Sequence, residues 1–329
     1  MPSFCRHNRL IQNCPICSRE QSVELRPVVS SGAPRTGLPR APASPSSRAR
    51  SVTSSRAGSG RVTVSQLARG ADDGFRSGLA PGLKSSEDAE RLARELAFAA
   101  ARLVRLGEDP PGLYAEVASP DLALEERTWL AFQIAYVCPL DGEYPFRAIE
   151  SARTTWSSGE MPDLETVEFG PRSAHDPARG TQTLDAYRAW AGRSGSQAAA
   201  FTGDGAWTAE RRFARVFERL ALPGMSRDVR FELLVLLGRL GAYELSAASL
   251  QFGGANETTV AAKRALGIGD SLLLERRASE LAQACGLPLE ALDLGLHNWG
   301  VGRRATLGMG LETEPDPAAL QRALDVLGL

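Results

Sequence analysis

Residues 86–329 place apolar side chains at helical spacing, and nowhere do they sustain the two-residue alternation that marks a half-buried β-strand. The run Leu124–Cys138 is apolar nearly all round, a pattern typical of a helix buried on every side. Capping residues precede many of these segments, and glycine or proline often follows them. We therefore predict an all-α main domain over residues 85–329, with the helix Leu124–Cys138 at its centre.

The helix boundaries follow from capping signals. Residues of the kind that cap helices precede five of the predicted helices, namely Ser85 (with Asp88 as a capping box), Thr208, Ser226, Asp270 and Asp316. We also predict helical turns over Tyr243–Leu250 and a helix over Pro288–Leu294 that ends at Gly295. Residues 194–205 are polar and are predicted to form a loop.

The first 20 residues contain a cluster of metal-binding side chains. Cys5 and His7 are followed by Cys14-Pro15-Ile16-Cys17, so four thiol or imidazole groups lie within a short segment. Four such ligands are the number that a tetrahedral structural Zn²⁺ requires, and zinc binding would offset the entropy of ordering so short a segment. We predict a zinc-binding module over residues 1–20 that binds nucleic acid or a protein partner. The alternative is a set of free thiols with a chance histidine.

Residues 21–84 are rich in Ser, Pro, Gly, Ala and Arg and contain few large apolar side chains. Such a segment cannot bury enough surface to fold, and we predict a disordered basic linker. Basic side chains outnumber acidic ones in residues 1–85, whereas the remainder is acidic, and the formal net charge is −1 overall. The linker arginines add affinity for a polyanion, or else the segment is only a solvated tether.

No apolar run reaches the length of a membrane span, and the first residues lack the apolar core of a signal peptide. Cys138 and Cys285 lie far apart in apolar helical patterns, unlike a disulfide framework. The sequence thus predicts a cytoplasmic protein with no membrane association.

A tight turn, Leu222-Pro223-Gly224-Met225-Ser226, separates two predicted helices. A helix N-terminus carries unpaired N–H groups and a favourable dipole, so such a turn can present backbone donors to a phosphate. Gly224, Ser226 and Arg227 are therefore candidate DNA-binding residues. The alternative is an ordinary corner between two helices.

Further candidate residues stand out by their chemistry. Gln133 is an amide within the apolar helix, where it either pairs with a neighbouring carbonyl or faces a pocket and reads the edge of a base. Asp141 lies just after this helix. Lys263 is the only lysine of the main domain. His175 lies in a polar loop and is predicted to be solvated.

Three short segments carry a resemblance to a known family. They are Asn8-Arg9-Leu10-Ile11 leading into Cys14-Pro15-Ile16-Cys17, then Trp129-Leu130-Ala131-Phe132 with Pro139-Leu140, and finally Ala261-Ala262-Lys263-Arg264 with Gly267-Ile268-Gly269-Asp270. In these the chain resembles the α-glutamyl/putrescinyl thymine pyrophosphorylase family of the clade-three type, which is itself similar to helix-hairpin-helix DNA glycosylases. The resemblance covers most of residues 86–300 and the zinc-binding segment.

The resemblance implies a helix-hairpin-helix, DNA-glycosylase-like domain that acts on DNA. The implied reaction displaces pyrophosphate from an activated 5-hydroxymethyl-uracil with an amino acid or a polyamine. Glu257 or Asp270 would deprotonate the amine, while Lys263 and Arg264 would neutralise the pyrophosphate. Alternatively, Lys263 is only a solvated side chain and Asp270 only a cap.

The chain departs from the glycosylase pattern at three positions. Ser226 replaces the second glycine of the hairpin, and Asp228 stands where lyase-type relatives place a lysine. Asn256, a candidate substrate-binding residue, falls nearest to the glycosylase aspartate and is followed by Glu257. An amide cannot take a proton as a carboxylate does, so ordinary base excision requires Glu257 to substitute.

Two other functions remain open. A glycosylase-like enzyme that excises modified bases would leave abasic sites. A non-catalytic DNA-binding or recruitment protein would bind in a salt-sensitive way and form no product.

Overall fold

The structure is a computed structural model, and it describes residues 70–310 and 313–329. All of them belong to the unit Val62–Leu329. The predicted zinc-binding module and residues 21–69 of the predicted linker lie outside the described residues, whereas residues 70–84 are described and bury Ala80 and Leu83 in the core.

The described residues form α-helices and no β-strand, which confirms the all-α prediction for this part of the chain. In chain order the α-helices are α1 (Ser86–Glu108), α2 (Leu113–Ala118), α3 (Leu124–Val137), α4 (Arg147–Ala152), α5 (Gln182–Arg193), α6 (Gln197–Thr202), α7 (Ala209–Arg219), α8 (Arg227–Arg239), α9 (Glu257–Leu266), α10 (Ser271–Ala284), α11 (Leu289–Val301) and α12 (Pro317–Leu327). A short 3₁₀ helix covers Pro177–Arg179.

The helices pack as two groups. In one group α1 lies against α11 and α12, and α9 lies against α11. In the other, α3 lies against α8, with the shorter helices around them. Contacts between α1 and α8 join the two groups. As predicted, α3 is central: its residues from Thr128 to Val137 are all buried.

Most predicted caps are confirmed. The side chains of Thr208, Ser226, Asp270 and Asp316 each accept a hydrogen bond from the first turn of the following helix. The capping box at Ser85 is wrong, because the Ser85 side chain makes no capping bond. Asp73 instead accepts from the Ser86 backbone, at 2.9 Å.

Two elements differ from the prediction because of tertiary hydrogen bonds. Residues 243–250 form no helix, since carboxylates from other helices take up their backbone groups: Glu290 accepts from Ala247 N and Glu275 from Leu250 N. Conversely, the predicted loop over 194–205 contains α6, whose first amides donate to the carboxylate of Glu125.

Gly295 does not end a helix, as the sequence had predicted, but lies inside α11. A Cβ at this position would lie 2.7 Å from Leu96 Cδ2, so the glycine permits a close approach of α11 to α1. The helix ends instead at Gly302, in the left-handed conformation. Its extra turns carry His297.

No helix among the described residues has the length and apolar character that a membrane crossing requires.

Candidate functional site

Six charged side chains are buried where the two helix groups meet. We call them the buried charge cluster; they are Arg102, Arg172, Arg227, Asp228, Glu232 and Asp293. Arg102 comes from α1, three members come from α8, Asp293 comes from α11, and Arg172 comes from the long segment between α4 and α5. Charged side chains are rarely buried unless they are paired, so this arrangement is unusual in a helical core.

The cluster alternates positive and negative groups. Arg172 Nη2 donates to Asp293 Oδ2 at 2.9 Å and lies 3.7 Å from Asp228 Oδ1. Arg227 Nη1 donates to Asp228 Oδ1 at 3.0 Å and also pairs with Asp293. Arg102 pairs with Glu232, whose other oxygen lies 3.7 Å from Arg172 Nη1. The three guanidiniums are thereby matched by three carboxylates.

This pairing keeps the cluster charged. Burial opposes the charge on Arg172, but Asp293, Asp228 and Glu232 outweigh it, so the pKa of Arg172 is raised. Burial likewise opposes the charge on Asp228, and Arg172 and Arg227 outweigh it, which lowers the pKa of Asp228. The ion pairs therefore set a fixed electrostatic environment for the groups around them.

Two titratable groups border the cluster. His297 lies on α11, and its buried Nδ1 is 3.9 Å from Oε2 of Glu257, a side chain that is 65 % exposed. Burial, reinforced by Arg172, lowers the pKa of His297 to about 3, so its imidazole is neutral at neutral pH. Burial and the nearby Asp228 raise the pKa of Glu257. A carboxyl whose proton is held more tightly than usual is suited to general acid–base chemistry.

The N-terminus of α9 fixes Glu257 in this place. Asn256 caps the helix through its side-chain oxygen, which accepts from Thr259 N at 2.8 Å. Thr258 Oγ1 donates to Asp228 Oδ1 at 3.2 Å and ties the first turn to the charge cluster. The structure thus gives Asn256 a capping role, and Glu257 is the first residue of the helix.

The three predicted catalytic residues do not form one group. Lys263 is exposed in the last turn of α9. It follows Glu257 by six residues, which on an α-helix means about 9 Å of rise and about 240° of rotation. Asp270 accepts hydrogen bonds from Leu272 N and Leu273 N and caps α10, as the alternative interpretation had it. Of the three, Glu257 is the one that borders the cluster.

Arg264 lies over the indole of Trp299, with its guanidinium carbon 4.2 Å from the ring centroid. Both residues line a cavity of about 310 Å³, together with Gly70, Asp72, Gly82, Leu83, Lys84 and Asp88. The two basic and two acidic side chains in this wall give it no single sign of charge. Neither Glu257 nor Lys263 lines it.

The turn Leu222–Ser226 joins α7 to α8 as predicted. Gly224 has φ +78°, and a Cβ there would lie 1.9 Å from Thr183 Oγ1, so only glycine fits. Ser226 caps α8 by accepting from Val229 N. Arg227 is buried in the charge cluster, so its side chain is not placed to contact DNA in this conformation.

Gln133 and Asp141 hold the polypeptide in place. The Gln133 amide both donates to Thr154 O and accepts from Thr154 N, at 3.0 Å each, which corresponds to the structural alternative for this residue. Asp141 accepts from Thr306 N and Thr306 Oγ1 at 3.1 Å and from Arg303 at 3.0 Å. Both side chains connect α3 or its exit to other segments.

Sequence reasoning missed most of the cluster, although a signal was present. Asp228 and Glu232 are four residues apart within the apolar helix α8, and Asp293 and His297 are four apart within α11. Such spacing places each pair on one face of its helix. Arg172 had no comparable signal, because it lies in a segment without regular structure.

Within residues 70–310 and 313–329, no group of His, Cys, Asp and Glu is arranged to hold a metal ion. The predicted zinc ligands Cys5, His7, Cys14 and Cys17 lie outside the described residues.

In comparisons with known proteins, no protein-family model, curated protein or solved structure matches this chain.

Proposed function

We propose that this protein is a DNA base-modifying enzyme in which Glu257 transfers the proton. The observation that carries the proposal is the position of Glu257, a carboxyl with a raised pKa at the edge of the buried charge cluster. It directly follows Asn256, the residue nearest to the glycosylase aspartate in the resemblance above. The proposed reaction displaces pyrophosphate from an activated 5-hydroxymethyl-uracil with an amino acid or a polyamine.

One carboxyl group can carry out both proton transfers of this reaction. The amine nitrogen attacks the methylene carbon, the bond from that carbon to the pyrophosphate oxygen breaks, and the amine loses one proton. Glu257 in its acid form protonates the leaving oxygen, and the resulting carboxylate takes the proton from the amine. Lys263 and Arg264, at the far end of α9, are not needed for this proton transfer.

Access to the base requires that the nucleotide leave the helical stack. We propose that the helix pair α7–α8 acts as a helix-hairpin-helix element, with the backbone amides of Arg227 and Asp228, at the start of α8, facing a phosphate. The acidic main domain repels DNA at long range. The basic linker and a zinc-binding module at residues 1–20 would supply the attraction, and the module offers a surface for a protein partner.

The test uses the full-length protein with DNA that carries pyrophosphorylated 5-hydroxymethyl-uracil and a panel of amino acids and polyamines. Nucleosides are analysed by mass spectrometry, and released pyrophosphate is measured in parallel. We expect an amine adduct and stoichiometric pyrophosphate from the wild type, and a loss of rate of at least about 100-fold in Glu257→Gln. Glu150→Gln, which changes an exposed glutamate in the first turn of α4, is the matched control and should retain full activity.

The same samples decide between the other functions. Abasic sites without an adduct, abolished by Glu257→Gln, would identify an excision enzyme, which the placement of a carboxylate next to Asn256 also favours. Salt-sensitive binding with neither product would identify a non-catalytic DNA-binding protein.

A further inference from the structure

One buried atom at the site has no partner. Nδ1 of His297 makes no hydrogen bond with any described residue, although His297 is only 2 % exposed. Buried polar atoms are nearly always hydrogen-bonded, so an exception calls for an explanation. An acidic oxygen lies close to it: Glu257 Oε2, at 3.9 Å.

We propose that the neutral imidazole of His297 accepts a hydrogen bond at Nδ1 from the protonated carboxyl of Glu257, and so holds that carboxyl in its acid form. The inference rests on the function proposed above, since it assigns a positioning residue to the same site. The gap of 3.9 Å is about 1 Å longer than a hydrogen bond. Because no hydrogen bond to a described residue fixes the exposed Glu257 side chain, a rotation can close the gap.

The charges around His297 determine where the proton of this pair resides. Arg172, from the segment before α5, and Arg227, from α8, disfavour an imidazolium, whereas Asp228 and Asp293 favour it. Burial adds to the effect of the arginines and leaves His297 neutral, with a pKa of about 3. Asp228 at the same time raises the pKa of Glu257. When the two groups share one proton, that proton therefore resides on the carboxyl, and the lone pair of Nδ1 is its acceptor.

The direction of this hydrogen bond has measurable consequences. An acceptor at Nδ1 stabilises the acid form and raises the pKa of Glu257, whereas a donor at Nδ1 would stabilise the carboxylate and lower it. If the role of His297 were only structural, the histidine would affect neither the titration of Glu257 nor the choice of its own tautomer.

The experiment is NMR spectroscopy of the full-length protein labelled with ¹⁵N in histidine and with ¹³C in the glutamate carboxyl groups, between pH 4 and pH 8. In the wild type we expect the ¹⁵N shift of His297 Nδ1 to be that of an unprotonated nitrogen and to move as Glu257 titrates. In Glu257→Gln that movement should vanish. In His297→Phe the pKa of Glu257 should fall by roughly one unit, the equivalent of one hydrogen bond.

His175→Phe is the matched control. His175 donates to or accepts from the Tyr136 hydroxyl at 3.0 Å and lies outside the charge cluster, so its removal should leave the Glu257 titration unchanged. A protonated Nδ1 in the wild type, or a Glu257 pKa that stays the same or rises in His297→Phe, would overturn the proposal. If His297→Phe does not fold, the wild type and Glu257→Gln still decide, because Glu257 is on the surface. None of these measurements depends on catalysis, so they separate a failure of this inference from a failure of the proposed function.

Discussion

Asp293 forms ion pairs with two buried arginines, and Asp293→Asn is therefore the most informative single change to the charge cluster. Arg172 and Arg227 both donate to it, and its side chain is 2 % exposed. Asparagine has nearly the same shape and can still accept hydrogen bonds. The substitution thus removes one negative charge and leaves the volume of the core intact.

The expected cost follows from burial. Removing one partner of a buried ion pair leaves an uncompensated charge in a poorly solvated place and typically costs about 3–5 kcal/mol. For a domain of this size, that loss lowers the midpoint of thermal unfolding by about 6–20 °C. Urea denaturation followed by fluorescence reports the loss directly, since Trp129 and Trp299 are buried and should change emission on unfolding.

The control is Glu168→Gln, which breaks the exposed pair between Arg147 and Glu168. Exposed pairs contribute little because water and salt screen them, so this variant should unfold at the wild-type midpoint. The reasoning would be refuted if Asp293→Asn lost less than about 1 kcal/mol with an unchanged urea slope, because the cluster would then behave like a surface pair.

Three further predictions concern packing, pH and metal. Gly295→Ala should destabilise the protein by about 1 kcal/mol or more, because the added Cβ meets Leu96. Gly192→Ala, in α5, should stabilise it slightly, because its Cβ would have nothing within 4 Å and alanine favours the helix. Thermal unfolding of the two variants compares these effects. His297 has a pKa of about 3 in the folded protein against an ordinary 6.5, because the folded protein holds the imidazole neutral. The stability that this neutral imidazole allows is therefore complete above pH 6.5 and is lost as the pH falls toward 3, by up to about 1.4 kcal/mol per pH unit. Urea unfolding at several pH values should show a weaker dependence of stability on pH in His297→Phe. Metal analysis should find one zinc per full-length chain and none in Cys14→Ser, with Cys285→Ala as the control that keeps it.

The sequence predicted helices best where their ends are marked by local chemistry. Thr208, Ser226 and Asp270 hydrogen-bond to residues only two or three positions away, so short-range patterns were sufficient. The prediction failed at residues 243–250, where the partners of the backbone are Glu275 and Glu290, which lie on other helices. A pairing of that kind depends on the tertiary arrangement and leaves no local pattern.

The candidate site shows the same division. Glu257 was identified from the sequence by its place after Asn256, with Lys263 and Asp270 as its expected partners, and the fold places those two partners elsewhere. The groups that do border it, His297 and the charge cluster, come from four separate parts of the chain. Helical spacing places Asp228 and Glu232 on one face of α8, a signal that the sequence analysis missed, but no pattern within one helix indicates that Arg172 lies between them and α11.

The chemistry of the charge cluster suggests that stability is not its main purpose. Several of its nitrogens, Nε of Arg102, Arg172 and Arg227 and Nη1 of Arg172, have no hydrogen-bond partner among the described residues. A cavity of only about 10 Å³ beside Arg172 has room for about one water. Because apolar side chains often stabilise a core at least as well as a buried ion-pair network, stability alone explains such a network poorly. Its position explains it better: the network anchors Arg172, and with it the long segment before α5, and it sets the potential at Glu257 and His297. A variant that replaces cluster charges with apolar side chains should therefore change the titration of Glu257 even where the protein remains folded.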